Sequence, residues 1–105
     1  YETIEIELLD GTQVKMRPLK ISLLRDFMKK FAEISEVADD NDQSMDILLD
    51  CVQIAMKQYA PDLSVDRERL EDCIDLPSVY KVVEAASGIK FDDSGNLTAG
   101  LVGTN

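Results

Sequence analysis

Ile4-Glu5-Ile6-Glu7-Leu8-Leu9-Asp10-Gly11-Thr12-Gln13-Val14-Lys15-Met16-Arg17 is the stretch whose reading decides the fold. Apolar residues fall on even positions in both arms, at Ile4, Ile6, Leu8, Val14 and Met16. That period of two marks a strand pair buried on one face. A two-residue turn at Asp10-Gly11 would set Ile6 opposite Lys15 and put the two apolar rows on opposite faces. A three-residue loop, Leu9-Asp10-Gly11, instead pairs Leu8 with Thr12, Ile6 with Val14 and Ile4 with Met16. It also sets Glu5 against Lys15 on the other face. Gly11 then takes the left-handed position after a type I turn. Pattern, charge and turn chemistry agree on this hairpin. Two strands alone are marginal in water, so later elements must cover the apolar face.

Working outward, Pro18 stops the second strand and Ser22 is a good helix cap. The spacing predicts a first helix over Leu23 to Val37, with Leu24, Phe27, Met28, Phe31, Ile34 and Ala38 as its apolar stripe and the hairpin as its target. Ala38 to Ser44 reads as an acidic connector. Asp42 or Ser44 would cap a second helix over Met45 to Tyr59, whose broad stripe suits a central element. Pro61 ends that helix. Ser64 would cap a short third helix over Val65 to Cys73. Asp75 with Pro77 opens a fourth over Leu76 to Ser87, and Gly88 closes it with Ile89 as its hydrophobic contact. The reading is an α+β, mostly α domain over residues 1–91: a hairpin packed on about four helices. Residues 92–105, with three glycines and no sustained period, read as a flexible tail.

The 105 residues fit one domain, and 45% apolar content supports a core. A net charge of −10 argues against nucleic acid or an anionic membrane as partner and suits a basic partner surface. No apolar run is long enough for a membrane span or signal peptide. Cys51 and Cys73 read as reduced, partly buried thiols. The chain has no His, so Ser/His and Cys/His nucleophile pairs cannot form. Asp39, Asp40, Asn41, Asp42 and Asp46 invite a calcium reading. Counted from Asp39, however, the sixth position is Ser44 rather than Gly and the run ends in Asp50 rather than Glu. No cofactor, metal or enzymatic activity is expected. Met28, Met45, Met56, Phe27, Phe31 and Tyr59 are core candidates first, and adaptable contact residues second.

The order of motifs then carries a resemblance. Leu8-Leu9-Asp10-Gly11-Thr12-Gln13-Val14-Lys15-Met16-Arg17-Pro18-Leu19 runs into Ser22-Leu23-Leu24-Arg25-Asp26-Phe27. Ala60-Pro61-Asp62-Leu63-Ser64, Leu70-Glu71-Asp72-Cys73-Ile74-Asp75-Leu76 and Val79-Tyr80-Lys81-Val82-Val83-Glu84-Ala85-Ala86-Ser87-Gly88 follow. Across residues 4–90 this resembles the tail assembly chaperones of long-tailed bacteriophages. The resemblance implies a non-enzymatic protein of the host cytoplasm, missing from the mature particle. It would bind the tape measure protein and keep it soluble until the tail tube protein displaces it, with copies self-associating along it. Phe27, Met28, Phe31, Met45 and Met56 are the expected contact residues. Short and long forms of such proteins would diverge within Leu97 to Asn105. Two other classes stay open: a structural tail or neck component of the particle, and an acidic nucleic-acid mimic.

Overall fold

The computed structural model describes residues 3–88. Ile89, the boundary expected at residue 91 and the tail at 92–105 lie outside the described residues.

Strands β1 (Ile4–Glu7) and β2 (Gln13–Met16) pair antiparallel with Ile4 opposite Met16, Glu5 opposite Lys15 and Ile6 opposite Val14. This is the register expected from the three-residue loop. Leu8 N–H donates to Thr12 O at 2.8 Å, and Gly11 N–H closes the turn on Leu8 O at 2.9 Å. Gly11 adopts φ +91°, a conformation that a side chain would strain. Asp10 Oδ1 accepts from Thr12 N–H at 3.0 Å, which stiffens the turn further. Ile6, Leu8, Val14 and Met16 are all buried.

Five α-helices follow among the described residues: α1 (Ile21–Ala32), α2 (Asn41–Tyr59), α3 (Pro61–Ser64), α4 (Arg67–Cys73) and α5 (Leu76–Ser87). A 3-10 turn, Glu33–Val37, extends α1. The first expected helix is therefore two pieces, while the third starts two residues later than expected, at Arg67, and a separate helical turn, Pro61–Ser64, precedes it. Val65 and Asp66 separate α3 from α4, because the Asp66 side chain, not Ser64, caps α4 by accepting from Arg69 N–H at 3.1 Å. Ser64 instead turns its hydroxyl back to Pro61 O at 2.8 Å. Likewise Asp40, rather than Asp42 or Ser44, caps α2 through Gln43 N–H at 3.0 Å, so α2 starts four residues earlier than the spacing suggested. Ser22 caps nothing: α1 begins at Ile21 with Lys20 as its first flanking residue. The Asp75 cap, with Pro77 in the first turn, and the Gly88 stop (φ +76°) are as expected.

The cover of the hairpin is the main correction. α5 lies across both strands and α2 lies against β2, while α1 packs along α2 instead. Val79, Val82, Val83, Ala85 and Ala86 give α5 a flat buried face of small residues that suits a sheet. The connector between β2 and α1 explains where α1 goes. Leu19 N–H donates to Ala86 O at 3.1 Å, and Lys20 N–H to Gln58 Oε1 at 2.9 Å. Gln58 Nε2 returns a bond to Pro18 O at 3.2 Å, and the Tyr59 hydroxyl donates to Arg17 O. The ends of α2 and α5 thereby satisfy the connector's backbone and steer α1 off the hairpin. α2 is the central helix, with Cys51, Val52, Ala55 and Met56 fully enclosed.

Candidate interaction surface

The site begins with the two sides of α1. Leu23 and Phe27 point into the core, and Phe27 stacks on Phe31 with ring centroids 6.1 Å apart and planes 7° from parallel. Cys51 Sγ rests 3.9 Å from Phe27 O, fixing α1 against the middle of α2. That packing uses one helical stripe only. Ile21 is 63% exposed and Met28 is 58% exposed, with the half-buried Leu24 and Phe31 beside them. The spacing 21, 24, 28, 31 is three-four-three, so these four form one ridge along α1, roughly 15 Å long at 1.5 Å per residue.

Basic residues border the ridge. Lys20, Arg25 and Lys29 are exposed, and among the described residues Arg25 and Lys29 take part in no ion pair. Lys30 is different: it reaches Glu33 at 3.2 Å and Asp50 at 3.6 Å. The Glu33 hydrogen bond and charge raise its pKa above the usual lysine value.

The five expected contact residues divide by location. Phe27 and Met56 are core residues, at 2% and 0% exposure, and offer a partner no surface in this fold. Met28 lies on the ridge and Phe31 at its edge. Met45, 38% exposed, stands apart just past the first turn of α2, where neighbouring Ser44 donates to Val37 O at 3.0 Å. Ile21, Arg25 and Lys29 were missed as site residues. The signal for them was present: bases gather between Lys15 and Lys30 while acids dominate elsewhere.

Two shallow clefts among the described residues lie away from the ridge. One, about 390 Å³, is lined by Asp10, Asp66, Glu68, Arg69, Asp72 and Cys73. The other, about 240 Å³, sits between the 3-10 turn and α2, with Val37 and Ile47 flanked by Glu33, Glu36 and Asp46. Neither contains an activated nucleophile. Burial pushes the Cys73 thiol above its ordinary value. Burial, with Asp50 nearby, pushes Cys51 up to about 12. Both thiols are therefore poor sources of thiolate near neutrality. The acidic run before α2 is used locally, since Asp40 accepts from both the backbone and the side chain of Gln43. Among the described residues no group of His, Cys, Asp or Glu is arranged to hold a metal ion. No described helix is long and apolar enough to cross a membrane.

No protein-family model, no curated protein and no solved structure matches this chain.

Proposed function

We propose that this chain is a non-enzymatic tail assembly chaperone of a long-tailed bacteriophage, binding the tape measure protein and keeping it soluble before the tail tube forms around it. The observation that carries the reading is the apolar ridge of α1, two of whose residues, Ile21 and Met28, are more than half exposed on a strongly acidic domain. A long helical partner awaiting its tube is an aggregation hazard, and a soluble domain with an exposed apolar strip can mask it. The motif order over residues 4–90 supports the same reading. A sleeve needs many copies on one partner, so each contact is weak and the copies pack against one another; the tail tube protein then displaces them. The working place of such a protein is the host cytoplasm, not the finished particle.

The test is co-expression of a tape measure segment with and without this chain. Higher solubility and a multi-copy complex on a sizing column are the expected outcome. A segment equally soluble alone refutes the reading. Mass spectrometry of purified particles gives a second check: the chain in stoichiometric amount there makes it a structural tail or neck component instead.

A further inference from the structure

The net charge of −10 suggests a basic partner, but that charge is unevenly placed. Six of the eleven basic residues fall between Lys15 and Lys30, and Asp26 is the single acid within that span. The exposed ridge of α1 lies inside this basic segment, with Arg25 and Lys29 unpaired among the described residues. At physiological salt, charges beyond about 8 Å are largely screened, so the ridge's immediate neighbours set the field a docked partner meets.

We propose that the α1 ridge, Ile21, Leu24, Met28 and Phe31, docks an amphipathic helix of a partner protein whose flanking residues are acidic. The three-four-three spacing is the seam of a helix pair, so a helix laid alongside α1 fills it better than an extended strand. The basic border selects the charge of that helix: Glu or Asp beside its apolar seam meets Arg25 and Lys29, whereas Lys or Arg there is repelled. A second copy laid symmetrically on the same ridge brings Arg25 and Lys29 against their own equivalents, which disfavours it. An anionic lipid surface would suit the ridge but would be repelled by the acids over the rest of the domain. The proposal rests on the reading above and narrows it, naming the chemistry of the partner segment that this domain would cover.

The experiment uses the full chain and two labelled helical peptides, each about three heptads long with the same leucine seam. One carries Glu at the flanking positions and the other carries Lys. Fluorescence anisotropy should show the Glu peptide binding about tenfold tighter or more, with the preference narrowing as salt rises. Arg25→Glu with Lys29→Glu should reverse the preference, and Met28→Asp should abolish binding of the Glu peptide. Circular dichroism confirms that each variant remains folded. Equal affinity, tighter binding of the Lys peptide or binding of neither overturns the proposal. So does self-association at the same concentration that Met28→Asp removes, which gives the ridge to a second copy. Capture by anionic phosphatidylserine vesicles in competition with the peptide assigns it to a membrane and also overturns it. The peptides contain no phage sequence, so their binding is judged separately from the tape measure solubility test.

Discussion

Arg67 Nη1 donates to Asp50 Oδ1 at 2.7 Å, and this bond ties α4 to the middle of α2. The same guanidinium reaches Gln53 Oε1 and Glu71 Oε2, each at 2.7 Å, while Asp50 also faces Lys30 of α1 at 3.6 Å. One carboxylate thus joins three helices. A third of each side chain is open to water, so screening limits the worth of the pair. Fixed multidentate geometry works in the other direction.

A double-mutant cycle of Asp50→Asn and Arg67→Met should give a coupling of about 1 kcal/mol by chemical denaturation. Arg67→Met alone should cost more, about 1–2 kcal/mol, because it also releases Gln53 and Glu71. A coupling near zero would make the network a surface decoration.

The hairpin register yields a sharper prediction. Ile6 is 5% exposed on the face that α5 and α2 cover, so Ile6→Asp inserts an unpaired charge there and should cost several kcal/mol. Glu5→Lys, one residue away on the open face opposite Lys15, should shift stability by only about 0.5 kcal/mol. Wild-type melting of Ile6→Asp would sink the register.

These contrasts mark what sequence could convey. The hairpin was legible to the residue because parity, charge pairing and turn chemistry all act within fourteen positions. Pro61, Asp75 and Gly88 were legible for the same local reason. The caps at Asp40 and Asp66 were missed because several Asp and Ser residues competed at each start and only the fold chose between them. The cover of the hairpin was missed because Gln58, Tyr59 and Ala86, which hold the connector, lie about forty or more positions away from it. Of the expected contact residues, Met28 and Phe27 are adjacent in an apolar stripe. Periodicity alone could not tell that one faces water and the other the core.

Titration should separate two limbs. Hydrogen bonds from Gln43 and Ser78 hold Asp40 and Asp75 below the ordinary value of 3.8. A depressed folded pKa contributes stability that is complete above 3.8 and is lost as pH falls below it. Approaching the isoelectric point near 4.3 also relieves self-repulsion, so the caps are read by difference. Asp40→Ala with Asp75→Ala should lower the melting temperature by a few degrees at pH 6, a gap that narrows as pH falls below 3.8.

The alkaline limb has the opposite sign. Cys51 is raised from 9.0 to about 12 by burial and by the nearby Asp50 charge, so its contribution is complete below pH 9 and is lost as pH rises through 12. At pH 8 the thiol should react with a disulfide reagent only as fast as the domain opens. Added denaturant should accelerate labelling in step with unfolding. Rapid labelling of the native protein would contradict the enclosed position of Cys51.

The last prediction separates fold from function on α1. Phe27→Ala removes a side chain that is 2% exposed and stacked on Phe31, and should cost about 3–5 kcal/mol. For a domain of this size that is a large share of total stability. Met28→Asp changes a residue that is 58% exposed and should alter stability by only about 0.5 kcal/mol. Under the proposed function both variants fail to solubilise a tape measure segment, for different reasons. Phe27→Ala fails because the domain unfolds, and its loss should be partly recovered at low temperature. Met28→Asp fails while fully folded, with an unchanged melting curve and helical signal. A Met28→Asp variant that still solubilises the segment would remove the ridge from the function. Met45, the other exposed methionine among the expected contacts, would then be the next position to test.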